Sequence, residues 1–156
     1  MTKLSERARA AQVLLIEDNH GDAVLTRRAF RRARMPSELT VAETGEAGLS
    51  ILRREGEHAE AAVPDLILLD LNLPHMHGQD FLSEIKRDPR LKRIPVIVLS
   101  SSSADVDVAG CYDRHANGYI TKPVTSETYD DIVSKIENYW FGLMQLPPDA
   151  EPQPFR

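Results

Sequence analysis

The sequence predicts an α/β fold, a five-stranded parallel sheet with helices on both faces, and three observations carry this. Leu66-Ile67-Leu68-Leu69 is an unbroken apolar run of strand length, the pattern of a strand buried on both faces. Val13-Leu14-Leu15-Ile16 and Pro95-Val96-Ile97-Val98-Leu99 repeat it. Each run is followed by a segment whose apolar residues recur every three or four positions, so strand and helix alternate along the chain. Parallel strands joined by right-handed crossovers are then the economical arrangement.

Taken in order, the first strand is 13–16 and the first helix 22–34. That helix has Leu25, Ala29, Phe30 and Ala33 on one face and Arg27, Arg28, Arg31, Arg32 and Arg34 on the other. The arginines are read as a solvated face, with Val24 exposed among them. A second strand, 39–42, turns at Thr44-Gly45 into a helix over 46–54. The third strand, 66–69, leads to a helix over 78–87 that buries Phe81, Leu82 and Ile85. His75 and His77 in the intervening loop lack a third soft ligand and are read as loop residues. The fourth strand, 95–99, precedes a weak helix over 104–115 with a thin stripe of Val108, Cys111 and Tyr112. The fifth strand, 118–121, precedes a long last helix capped by Thr125 or Ser126. Its stripe is Tyr129, Ile132, Val133, Ile136, Trp140 and Leu143.

The chain's 156 residues suffice for one domain with a real core. A net charge of −5 argues against nonspecific nucleic-acid binding, so no DNA partner is expected. Cys111 is alone, which excludes a disulfide framework or a cysteine metal cluster and fits a reduced, cytoplasmic setting. The start, MTKLSERARAAQ, lacks the apolar centre of a secretory signal, and no apolar run reaches membrane-spanning length. The expected division is an N-terminal extension over 1–11, one domain over 12–146, and a flexible, proline-rich tail over 147–156.

The ends of the predicted strands carry the chemistry. Asp70 directly follows the central run, and Pro74 and Gly78 then stop the strand and turn the chain. Gly78 and the intervening loop put Asp70 too far upstream to cap the next helix. It is therefore read as a functional carboxylate at the carboxyl edge of the sheet, where open α/β sheets bind ligands. Glu17 and Asp18 follow the first run, and Asp18 or Asn19 caps the helix after them. If these two strands are neighbours, Glu17, Asp18 and Asp70 converge. Three carboxylates raise one another's pKa unless a cation sits among them, and hard oxygen ligands in an open cluster suit Mg²⁺. Ser100 ends the fourth run. Ser102 or Ser103 is expected to cap the following helix, leaving Ser100 for the site. Lys122, held extended by Pro123, ends the fifth.

The set Glu17-Asp18, Asp70, Ser100 and Lys122-Pro123 closely resembles the receiver domain of bacterial two-component response regulators over residues 12–139. The resemblance implies the flavodoxin-like strand order 2-1-3-4-5. It implies that Asp70 is the phosphoacceptor, that Asp18 binds Mg²⁺ directly and Glu17 mainly through water, and that Asn72 offers its backbone carbonyl. It makes Ser100 and Lys122 partners of the phosphoryl group and Tyr119 the switch aromatic. The phosphoryl donor is then a histidine kinase, because no kinase domain is present. The chain acts as a catalyst only of its own phosphorylation and dephosphorylation. No output domain follows the last helix, so a single-domain regulator acting on a downstream protein is expected. More narrowly, EDNHGDA, the serine run and YWFGLMQLPP resemble regulators paired with bacterial phytochrome kinases.

Two other functions compete. An aspartate-nucleophile phosphatase of the haloacid-dehalogenase type wants a second Asp two residues after the first, where this chain has Asn72. A phosphorylation-independent interaction module does not need the complete set of acids, serine and lysine. For assembly, the last helix carries more apolar side chains than docking to a sheet requires. Trp140, Phe141 and Leu143 are therefore expected to form a homodimer surface.

Overall fold

Five parallel strands, β1 (Ala11–Ile16), β2 (Ser37–Ala42), β3 (Leu66–Leu69), β4 (Val96–Ser100) and β5 (Gly118–Thr121), lie in the spatial order β2-β1-β3-β4-β5. This is the expected order. The computed structural model describes residues 10–122 and 125–147. Most of the expected N-terminal extension, Pro123, and the expected tail beyond Pro147 lie outside the described residues. Ala11, assigned to the extension by the sequence, is the first residue of β1.

Side chains alternate across the sheet and build two cores. Leu14, Ile16, Ile67, Leu69, Val96 and Val98 pack on one face under α2 (Gly45–Leu52), α3 (Gly78–Arg87) and α4 (Asp105–Asp113). Val13, Leu15, Leu66, Leu68, Ile97 and Leu99 pack on the other under α1 (His20–Arg32) and α5 (Ser126–Ile136). The four residues of β3 are completely buried. At about 1.5–3 kcal/mol for each fully buried leucine or isoleucine, the central strand is a main source of stability, and it is also the strand that ends at Asp70.

Register sets the functional edge. Ile16 pairs with Leu69 and Leu69 with Val98, so β1 and β3 end level with one another while β4 runs two residues further, to Ser100. Strand order reverses direction between β1 and β3, which opens a crevice at their carboxyl ends.

Three expectations need correction. Neither Ser102 nor Ser103 is the N-cap of α4. The cap is Ala104, which has no side-chain bond to give, and Ser102 instead accepts the Ala104 N–H at 3.3 Å and donates to the Asp107 carboxylate at 2.5 Å. His77 is more than a loop residue: its Nδ1 accepts the Gln79 N–H and caps α3.

The third correction concerns the last helix. The α-helix stops at Ile136, and Glu137–Leu143 winds as a π-helix. Its wider turn, with hydrogen bonds reaching five residues back, rotates the phase of the apolar stripe; the Met144 N–H bonds the Tyr139 carbonyl. Phe141 and Leu146 therefore turn inward and are buried in the domain's own core. Phe141 is not available as a dimer contact. Leu143, placed in the helical stripe by α-helical spacing, is 60% exposed, and Trp140 is half-buried with its ring edge-on to Tyr139.

Candidate functional site

The acids of two adjacent strands meet at the level ends of β1 and β3. The Asp70 amide donates to the Ile16 carbonyl, extending the strand ladder by one residue and fixing Asp70 beside Glu17. Asn19, not Asp18, caps α1: its side chain accepts the Asp22 N–H at 2.9 Å. Asp18 is thus left exposed in the strand-to-helix turn, while Glu17 and Asp70 are buried. Carboxylate oxygens of Glu17, Asp18 and Asp70 all lie within 4.8 Å of one another.

Asp70 is also positioned from behind. Gly78, the first residue of α3, donates its N–H to the Leu71 carbonyl at 2.9 Å. A Cβ at this glycine would stand 2.5 Å from the Asp70 carbonyl oxygen and 2.6 Å from the Leu71 Cα. Only glycine permits this close approach of helix to loop. Asn72 is exposed, and its amide bonds the Asp70 Oδ1 at 3.4 Å.

Lys122 neutralises the cluster from β5. Its Nζ is 2.8 Å from Glu17 Oε1, 2.8 Å from Asp22 Oδ2 and 3.2 Å from Asp70 Oδ2. Its amide bonds the Ser100 carbonyl, which ties the end of β5 to the end of β4. Burial alone would lower the lysine pKa, but its hydrogen bonds to Asp22 and Glu17 and the Asp70 charge more than reverse this and raise it. Glu17 is pushed up to about 7, first by burial and then by the neighbouring Asp70, against the opposing pull of Lys122. Burial thus opposes charge on Glu17 even with the Lys122 ammonium 2.8 Å away.

The donor set fits a hard divalent cation. Three oxygen donors converge with one side open to solvent through Asp18, and no cysteine or histidine belongs to the group. An open cleft of about 210 Å³ flanks Glu17 and Asp18 and is walled by His20, Val24 and Glu43.

Ser100 stands at the end of β4, fully buried, and its Oγ accepts the Ser102 N–H at 3.3 Å. Tyr119, on β5, reaches the same loop and donates its hydroxyl to the Ser102 carbonyl at 2.7 Å. The structure therefore gathers Glu17, Asp18, Asp70, Asn72, Ser100 and Lys122 at one edge, with Tyr119 one strand away. Trp140 and Leu143 lie on the extension of α5. Sequence reasoning missed Asp22, which lies in the first turn of α1, three residues after its cap Asn19. It also missed the Tyr129 hydroxyl, which periodicity marks only as core.

Residues 13–136 match the family described as the response regulator receiver domain. The chain is similar to the response regulator Rcp1 of Synechocystis sp., 38% identical over 135 residues that cover 86% of this chain and 92% of Rcp1. It is 39% identical over 138 residues to the probable methanogenesis regulatory protein FilR2 of Methanothrix harundinacea, covering 88% of each. Among solved structures, the phosphorylated cyanobacterial phytochrome response regulator RcpA superposes with a TM-score of 0.85 at 44% identity, over 90% of this chain and all of that one. The Mn²⁺-bound form of Rcp1 superposes with a TM-score of 0.82 at 38% identity, over 88% and 99%.

Proposed function

The chain belongs to the response regulator receiver domain family, and from that premise we propose that Asp70 accepts a phosphoryl group from a phosphohistidine of a partner kinase. The observation that carries this is the setting of one buried carboxylate: Asp70 converges with Glu17 and Asp18 to within 4.8 Å and lies 3.2 Å from the Lys122 ammonium, which also contacts Glu17. An Asp70 oxygen supplies the electron pair for the new O–P bond. The P–N bond of the donor breaks, and its electron pair leaves with the imidazole nitrogen.

Lys122 balances the charge that collects on the phosphoryl oxygens. Glu17, Asp18, Asp70 and the Asn72 carbonyl would hold Mg²⁺. When bound, the ion supplies Lewis-acid neutralisation of phosphoryl charge. Phosphorylation adds about −1.5 to −2 charges, which draw the Ser100 hydroxyl and Lys122 toward Asp70. Ser100 then gives up its bond to the Ser102 N–H, and the loop held by Tyr119 is the element that switches. The domain catalyses its own phosphorylation and dephosphorylation and no other reaction.

The kinase is of the bacterial phytochrome type, supported by the likeness to RcpA, which is a phytochrome response regulator. The output is a contact with a downstream protein, not with DNA. Among the described residues no helix is long and apolar enough to cross a membrane, and the reduced-thiol reading of Cys111 supports a cytoplasmic site of action. A homodimer forms through Trp140 and Leu143, with Tyr139 beside them, since among the described residues Tyr139 and Leu143 are the large apolar side chains left exposed at the end of the domain.

The test is transfer from an autophosphorylated phytochrome-type histidine kinase to wild type and to Asp70→Asn. Labelling is expected in wild type and absent in the variant, with both folded by circular dichroism. Labelling of Asp70→Asn at the wild-type rate sinks the assignment.

A further inference from the structure

Lys122 has a third carboxylate partner outside the convergent acid group. Asp22 Oδ2 is as near to the ammonium as Glu17, and nearer than Asp70. Asp22 is held firmly. It sits in the first turn of α1, its amide donates to the Asn19 side chain, and its carbonyl accepts the Thr26 hydroxyl at 2.8 Å. It is not one of the three carboxylates that converge within 4.8 Å.

A second observation concerns the surroundings of the same pair. Tyr129, projecting from α5, is 3% exposed, and its hydroxyl has no hydrogen-bond partner among the described residues. It faces Asp22, Lys122 and Glu17 closely enough that, after burial itself, the Asp22 charge is the main influence raising its pKa. A buried phenol without a partner is costly.

We propose that Asp22 is the anchor that aims Lys122 at Asp70, a positioning residue that acts through the lysine. The inference rests on the reading of Asp70 as phosphoacceptor. Glu17 and Asp70 serve both Lys122 and the cation site, so a cation there weakens their hold on the ammonium. Asp22 lies outside that acid group and keeps its ion pair with Lys122 when the other two are engaged. The lysine is thereby confined to the α1 side of Asp70, within reach of the incoming phosphoryl oxygens.

The experiment is a double-mutant cycle in the full chain, with phosphoramidate as donor, Mg²⁺ present and the acyl phosphate followed by intact mass. Asp22→Asn and Asp22→Ala are expected to slow phosphorylation progressively, the alanine by about tenfold. In a Lys122→Ala background the same changes are expected to have no further effect, the signature of residues acting as one unit. In metal-free protein the Lys122 ammonium ¹H–¹⁵N resonance is expected to shift or broaden in Asp22→Asn. Wild-type rates in both Asp22 variants, an equal slowing with and without Lys122, or an unmoved resonance overturns the inference while leaving Asp70 the acceptor. Modification persisting in Asp70→Asn instead overturns the phosphoacceptor reading.

Discussion

The Tyr119 hydroxyl donates to the Ser102 carbonyl oxygen across 2.7 Å and so pins β5 to the loop that follows β4. Ser102 is a junction. Its amide bonds the Ser100 hydroxyl, and its own hydroxyl bonds the Asp107 carboxylate and accepts the Ala104 amide. A continuous chain of hydrogen bonds therefore runs from Ser100, at the site edge, to the first turn of α4. Because Ala104 has no side-chain cap to offer, the start of that helix depends on Ser102.

Tyr119→Phe removes one bond and no packing volume. The expected cost is about 0.5–1.5 kcal/mol, read as a lower denaturant midpoint. Hydrogen exchange should quicken at residues 101–104 and remain unchanged in β1 and β3. Unaltered exchange in the loop would show that the hydroxyl does not hold it.

Gly78→Ala drives a methyl group against the Asp70 carbonyl. Backbone cannot yield as a side-chain tip does, so the Asp70–Leu71 segment must shift. The expected outcome is a loss of about 1–3 kcal/mol of stability, as for other overpacked sites, together with slower phosphoryl acceptance. Normal acceptance in a destabilised variant would separate the fold from the placement of Asp70.

Asp18→Ala removes the exposed member of the acid group and leaves the buried pair with Lys122 intact. Mg²⁺ affinity, measured by calorimetry, is expected to fall by about tenfold or more, and phosphorylation to slow with it. Stability without metal should not fall, since an exposed like charge is being deleted. Undiminished Mg²⁺ affinity excludes Asp18 as a ligand.

Glu137 carries the pH prediction. Its side chain is 2% exposed, Oε1 accepts the Met35 amide, and Oε2 has no partner among the described residues. Burial raises its pKa, opposed by the Met35 hydrogen bond. Between the ordinary glutamate value and this raised one, the folded state holds a proton that the unfolded state has released. Stability therefore falls as pH rises through that window and is fuller on its acid side. Glu137→Gln should abolish that slope and be the more stable protein at pH ~8, by about 1 kcal/mol. Parallel pH curves for the two proteins would contradict the assignment.

Leu143→Asp tests assembly. With Phe141 and Leu146 taken into the domain core, the exposed apolar surface at this end reduces, among the described residues, to Tyr139 and Leu143 beside half-buried Trp140. A two-fold interface uses that surface twice, so one charge per subunit should convert a dimer to monomer in sedimentation without lowering the melting temperature of the fold. A wild type that sediments as a monomer at micromolar concentration, with and without phosphate, removes the dimer from consideration.

Much of this protein was legible in one dimension because buried parallel strands leave a local record. An uninterrupted run such as Leu66–Leu69 announces its strand, and a polar residue at the end of each run announces the sheet edge, so the position of Glu17, Asp18, Asp70, Ser100 and Lys122 at that edge was legible. What tertiary structure alone decided were the relationships that cross elements or depend on helical phase. Asp22 became a partner of Lys122 because α1 and β5 meet 100 residues apart in sequence. His77 and Asn19 became caps according to where each helix began. The π-helix of Glu137–Leu143 turned Phe141 inward and Leu143 outward. A periodic pattern assumes a constant winding angle, and the pattern cannot register a change in that angle made by packing against the neighbouring helix and sheet.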